Sequence, residues 1–130
     1  MPGNSRVLIV DDHPINRRLP ARLLRANGWE CEEAENGEEA LAKLSAARFD
    51  AVLLDIGLPD ISGYEVCLRI RANPALKHVY VIAYTALASS EVAPSAAGFD
   101  GLLIKPITPD QLFDALKGVE RQSAARCEAP

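Results

Sequence analysis

Short apolar runs alternate with longer stretches of helical period along this chain. Val7-Leu8-Ile9-Val10 is apolar throughout and stops at Asp11-Asp12, which predicts a strand buried on both faces. His13-Pro14 opens a helix, with Pro14 suited to the first helical position, and Asn27-Gly28 closes it. The apolar stripe predicted for this helix is Ile15, Leu19, Leu23 and Leu24. Pro20 falls inside it, removes a helical donor and crowds the carbonyl four residues back, so a kink is expected. Residues 29–33 read as a second strand. Asn36 caps a helix that runs to about Ala46 and turns Ala40, Leu41 and Leu44 inward. Residues 51–54 form a third strand ending at Asp55. After the loop Leu58-Pro59-Asp60, a helix begins at Ser62 or Gly63, offers Val66, Leu68 and Ile70 for burial, and closes at Asn73-Pro74. A fourth strand over 79–84 stops at Thr85, and the Ala- and Ser-rich residues 86–97, with Pro94 among them, read as a short weak helix. Residues 102–104 make a fifth strand ending at Lys105-Pro106. Thr108, Pro109 and Gln111 form a capping box for a last helix with Leu112, Leu116 and Val119 on one face.

Strands that are apolar throughout and separated by helices imply a parallel sheet covered on both faces. With 130 residues and 48% hydrophobic positions, the chain makes one domain with a real core. The domain is placed at 5–120, with residues 1–4 and 121–130 as flexible termini. The net charge of −4 leaves no basic stripe for nucleic acid. Arg17, Arg18, Arg22 and Arg25 read as the solvated flank of a helix, or else as a contact surface for an acidic protein. No apolar run approaches the roughly 20 residues of a membrane span. Cys31, Cys67 and Cys127 fit neither a zinc site nor a disulfide framework; the first two read as small buried hydrophobes. A cytoplasmic location follows as the expectation.

The polar residues sit where strands end. Asp11 and Asp12 follow the first strand, Asp55 the third, Thr85 the fourth and Lys105 the fifth. In an open parallel sheet, ligands bind outside the carboxyl ends of the strands, so these residues converge on one edge. Three carboxylates in one place repel unless neutralised. A hard divalent cation such as Mg2+, bound through carboxylates, waters and phosphate oxygens, resolves this together with Lys105. Taken one at a time, these aspartates are more safely read as helix and loop caps; the five strand-end positions together reverse that reading.

Four stretches carry a family likeness: Val-Leu-Ile-Val-Asp-Asp at 7–12, Leu-Leu-Asp-Ile-Gly-Leu-Pro-Asp-Ile-Ser-Gly at 53–63, Tyr-Thr-Ala at 84–86, and Gly-Phe-Asp-Gly-Leu-Leu-Ile-Lys-Pro at 98–106. Over residues 5–119 the chain resembles the receiver domains of response regulators in two-component signalling. The resemblance implies an α/β, flavodoxin-like, doubly wound five-stranded parallel sheet in the order 2-1-3-4-5 with five helices. It implies Asp55 as the nucleophile toward a phosphohistidine on a sensor histidine kinase or histidine phosphotransferase. Asp12 would ligate Mg2+ directly and Asp11 through a water, with Asp55 and the Gly57 carbonyl completing the protein's share. Lys105, the Thr85 hydroxyl and the Ala86 backbone N–H would hold phosphoryl oxygens. Gly63 suits a junction where a side chain would clash. Kinase docking would use the first helix and the loop after the fifth strand, with Asn16, Arg17, Leu24 and Pro106 as candidates.

The chain departs from the family at Leu102, where an aromatic ring is usual, in a shorter stretch between Thr85 and Gly98, and at Pro20. The departure at Leu102 shifts the expected readout of the switch to 86–97. The chain ends soon after the last predicted helix, so output is expected through a downstream protein target or onward relay, with no direct contact to nucleic acid or membrane. It is not expected to be an enzyme beyond its own phosphorylation and dephosphorylation. The alternatives are a non-phosphorylated interaction domain of the same fold, or an aspartate-nucleophile phosphatase. The phosphatase typically places two aspartates one residue apart at the end of the first strand, whereas Asp11 and Asp12 are adjacent.

Overall fold

The apolar runs become strands and the periodic stretches become helices. The computed structural model describes residues 6–56, 60–76, 78–85, 99–104 and 108–116. The strands are β1 (Arg6–Val10), β2 (Glu30–Ala34), β3 (Ala51–Leu54), β4 (Tyr80–Thr85) and β5 (Gly101–Ile104). They form one sheet in the order β2-β1-β3-β4-β5, and every pair is parallel. The helices are α1 (Pro14–Ala26), α2 (Gly37–Ala46) and α3 (Gly63–Ala72), and residues 109–116 are also helical. The helix expected over 86–97 lies outside the described residues, as do Val119, Cys127 and both expected termini.

Alternate residues of each strand feed opposite faces. Leu8, Val10 and Leu54 pack with Ala40, Val66 and Ile70 on the side of α2 and α3. Val7, Ile9 and Leu53 pack with Leu24, Leu112 and Leu116 on the side of α1 and the last helical segment. The sheet is therefore covered on both faces, as strands without a polar alternation require.

Helix ends follow the predicted signals. Asn36 accepts from the Glu39 N–H at 2.8 Å, and Ser62 from the Glu65 N–H at 3.2 Å. Thr108 and Gln111 satisfy each other's backbone N–H groups, at 3.2 and 3.1 Å, in a complete capping box. Gly28, at φ 90°, closes α1: its N–H donates to Arg25 and that of Trp29 to Leu24. This turn uses Trp29, so β2 begins at Glu30, one residue later than the apolar pattern indicated.

Two predicted faces are corrected. Ile15 and Leu19 are exposed, at 74% and 49%; of the expected stripe Leu24 is buried, and Pro20 and Ala21 join it. In α3, Leu68 is exposed and Cys67 takes the inward position. Leu24, offered as a docking residue, is fully buried and cannot meet a partner. α1 runs through Pro20 as one helix. Cys67 is buried in the core as expected, whereas Cys31 is only half-buried; burial pushes both thiols up to about 11. Among the described residues no helix is long and apolar enough to cross a membrane.

Candidate functional site

The sheet register builds the site. Val10 pairs with Leu54 and Leu54 with Ala83, so Asp11, Asp55 and Tyr84 come next on three adjacent strands. The Asp55 N–H donates to the Val10 carbonyl at 3.0 Å, and the Asp11 N–H to the Ala34 carbonyl at 3.1 Å. Asp11 and Asp55 are the buried charged residues among those described, at 0% and 7% exposure. Thr85 closes β4 opposite Ile104, at the same edge from which the chain leaves β5 toward Lys105. Lys105, Gly57 and Ala86 lie outside the described residues.

Asp11 is fixed by its neighbours. Its Oδ1 accepts from the His13 N–H at 2.9 Å, and its main-chain carbonyl accepts from Arg17 Nη1 at 2.6 Å. Arg17 Nε also donates to Glu33 at 2.9 Å, and the Arg17 side chain is only 11% exposed. Arg17 therefore departs from the solvated flank that the arginine cluster suggested; Arg18, Arg22 and Arg25 keep to it. An arginine one turn into α1 points at this role only once the fold is known, because it covers the acidic edge rather than the core.

Gly63 meets the site through its backbone. Its N–H donates to the Ile56 carbonyl at 2.9 Å, and a Cβ there would stand 2.5 Å from the Asp55 carbonyl oxygen. No side chain fits without moving the strand that carries Asp55. Beyond the loop that follows Asp55, the Asp60 carboxylate accepts from the N–H groups of Gly37 and Glu38, both at 2.9 Å. Burial raises the Asp60 pKa, but the backbone N–H groups of Gly37, Glu38, Ile61 and Asp60 itself outweigh it and hold the carboxyl below its ordinary value. Asp60 thereby anchors the far end of this loop on the start of α2, a link the sequence did not signal.

Tyr84 is the second residue that sequence reasoning missed. It is buried, and its hydroxyl donates to the Asn16 carbonyl of α1 at 3.0 Å. Burial, with Asp11 and Asp55 adding, pushes the phenol up to about 12, so it stays protonated.

The donor set suits a hard cation. One ligand atom from each of Asp11, Asp12 and His13 lies within 4.8 Å of the others. Asp12 Oδ1 is buried and accepts no hydrogen bond, although His13 Nδ1 lies 3.0 Å from it. A cation would satisfy that oxygen, and carboxylate oxygens favour Mg2+ over the softer metals that imidazole prefers.

Comparison with known proteins agrees with this arrangement. The profile of the response regulator receiver domain matches residues 7–117. The sensor histidine kinase RcsC of Salmonella typhi is 40% identical over 110 residues, which are 85% of this chain and 12% of the kinase. The chain thus spans a small part of that relative. Among solved structures, the chemotaxis response regulator CheY4 of Vibrio cholerae superposes with a TM-score of 0.83 at 34% identity, covering 89% of this chain and 98% of CheY4. The response regulator TrrA of Thermotoga maritima, solved in complex with Mg(2+)-BeF, gives 0.79 at 37% identity, covering 88% and 98%. A parallel sheet in this order, buried aspartates at the ends of β1 and β3, and a match across nearly the whole domain place the chain in the response regulator receiver domain family of two-component systems.

Proposed function

We propose that this receiver takes a phosphoryl group onto Asp55 from the phosphohistidine of a sensor histidine kinase or a histidine phosphotransferase. It then signals by binding a downstream protein or by passing the group on. The observation that carries this reading is the pair of buried carboxylates, Asp11 and Asp55, beside a buried Asp12 oxygen that accepts no hydrogen bond. Buried like charges of this kind are held where a cation and a transferring phosphoryl group need them.

In the transfer, a carboxylate oxygen of Asp55 forms a bond to phosphorus as the phosphorus–nitrogen bond breaks. The electron pair stays on the leaving imidazole, which then takes up a proton. The protein's task is positioning and charge neutralisation more than covalent chemistry. Asp12 would hold Mg2+ directly, Asp11 through a water, and Asp55 and the Gly57 carbonyl would complete the protein ligands. Bound Mg2+ would supply positive charge to the phosphoryl oxygens. The Lys105 ammonium, the Thr85 hydroxyl and the Ala86 N–H would take the remaining oxygens. TrrA, solved with Mg(2+)-BeF, supports this choice of metal. The chain would turn over no substrate of its own, and would work in the cytoplasm with protein partners.

Incubation with a small phosphoryl donor such as acetyl phosphate and Mg2+ tests the reading. Intact mass should rise by one phosphoryl group in the wild type and not in Asp55→Asn. An unmodified wild type in saturating Mg2+ would favour an interaction domain that is never phosphorylated.

A further inference from the structure

Pro20 lies in the middle of α1, where it has no N–H to donate. In a regular helix that N–H would reach the carbonyl of Asn16, four residues back. The Tyr84 hydroxyl donates to that same carbonyl at 3.0 Å, across 68 residues of sequence. Tyr84 is buried in one cluster with Ala21 and Leu24 of α1, and it directly precedes Thr85 at the end of β4. The start of α1 is itself tied to the acidic edge. His13 and Arg17 both donate to Asp11, and Asp12 immediately precedes the N-cap His13.

We infer that Pro20 and Tyr84 are a matched pair: the proline leaves the Asn16 carbonyl open, and the tyrosine hydroxyl fills it and fixes the first turns of α1, with Asp11 and Asp12, against β4. Tyr84 is a positioning residue for the acidic pocket and not a ligand within it. The positional half of this inference rests on the metal-binding reading above; the pairing itself does not. The bond is part-buried, and an acceptor shielded from water and deprived of its donor is costly. With alanine at position 20, the helix supplies its own N–H to Asn16 and the hydroxyl becomes dispensable for stability. It would still tie the first turns of α1 to β4.

The full chain, Pro20→Ala, Tyr84→Phe and the double variant decide both halves. In urea, Tyr84→Phe should raise the unfolding constant roughly 5- to 30-fold in the wild-type background, and by no more than about twofold in the Pro20→Ala background. An equal penalty in both backgrounds overturns the pairing, whatever Pro20→Ala does to packing by itself. Calorimetric titration of the folded proteins with Mg2+ alone should show affinity weakened roughly tenfold by Tyr84→Phe. The loss should persist in the double variant, even though its stability no longer depends on the hydroxyl. Binding within about twofold of wild type overturns the positioning role. A wild type that binds no Mg2+ defeats the metal-binding reading and the positioning role together, while the unfolding data still judge the pairing. Should a variant fail to fold, the wild type answers by NMR. The Tyr84 hydroxyl proton should exchange with water far more slowly than that of Tyr80, whose hydroxyl lies 3.4 Å from the Asp100 carbonyl at an exposed position. Equal exchange rates overturn the hydrogen bond on which the pairing depends.

Discussion

α1 and α2 flank the same strand, β1, yet hold themselves together differently. α2 is capped locally by Asn36, carries Glu38 and Glu39 in its first turn and Lys43 in its last, and takes a further cap from Asp60. Those features satisfy its first N–H groups and suit its dipole. α1 has His13 as its N-cap with no side-chain hydrogen bond, has no acidic residue in its first turn, and has a proline inside. It borrows what it lacks: Asp11 Oδ1 receives the His13 N–H, and Tyr84 serves the Asn16 carbonyl. The helix beside the acidic edge is thus coupled to that edge directly, while the helix across the sheet meets it only at its first turn, through Asp60 at the far end of the Asp55 loop. Chemistry at Asp11, Asp12 or Asp55 should be felt more strongly in α1 than in α2.

The same division separates two glycines at helix starts, and here the largest effect is expected. A Cβ at Gly63 would press on backbone, the Asp55 carbonyl oxygen and the Ile56 Cα, 2.5 and 2.8 Å away. At Gly37 its nearest contacts would be the side chains of Ile61 and Val66, both under 3.0 Å, so side chains must shift instead of backbone. Gly63→Ala should cost about 3 kcal/mol in urea unfolding and weaken Mg2+ binding, and Gly37→Ala about 1 kcal/mol with Mg2+ binding intact. Equal costs would mean that the strand bearing Asp55 yields as readily as a side chain.

Metal comes next. At a hundred times its dissociation constant, Mg2+ should stabilise the wild type by about 2.7 kcal/mol, and Asp12→Asn should lose most of this. Amide hydrogen exchange by local opening should slow more in α1 than in α2, beyond the slowing of both that the overall stabilisation brings. Equal protection of both helices would erase the distinction drawn between them.

Much of this was legible from residue order. Runs such as 51–54 can only be strands buried on both faces, and the register of such strands sets Asp11 and Asp55 side by side. Caps at Asn36, Ser62 and Thr108 were legible because each reaches only three residues along the chain. The phase of α1 was not. Counting apolar residues selected Ile15 and Leu19, but small Ala21, Pro20 and the long stem of Arg17 fit the sheet and the acidic edge better. Leu68 was misplaced by its period: 66, 68 and 70 recur every second residue, whereas the helical repeat puts 63, 66, 67 and 70 on one face. Asp60 on α2 and Tyr84 on Asn16 span 23 and 68 residues, and no local pattern announces bonds of that reach.

Removing the Asn36 cap should have a smaller effect. Asn36→Ala should destabilise by about 1 kcal/mol and leave Mg2+ affinity unchanged, since α2 answers to its own caps. A fall in metal affinity would tie α2 to the acidic edge after all.

The smallest effect concerns acid. The folded Asp60 carboxyl sits below its ordinary value of 3.8, so its contribution is present above that value and fades as pH falls through the folded pKa. Asp60→Asn should lose part of the wild type's steepening below about pH 4 and differ little in slope at neutral pH. An acid limb identical to wild type would show that the capping carboxylate gains nothing from its charge.

The phospho-acceptor itself is tested most directly by trapping. Wild type exposed to a small phosphoryl donor with Mg2+ is treated with borohydride, which reduces an acyl phosphate and spares a free carboxylate, and the peptides are mapped by mass spectrometry. Reduction confined to Asp55, and absent when Mg2+ is removed, is the predicted result. Reduction at Asp11 or Asp12 with Asp55 untouched, or none in saturating Mg2+, would contradict the assignment of Asp55 as the residue that takes the phosphoryl group.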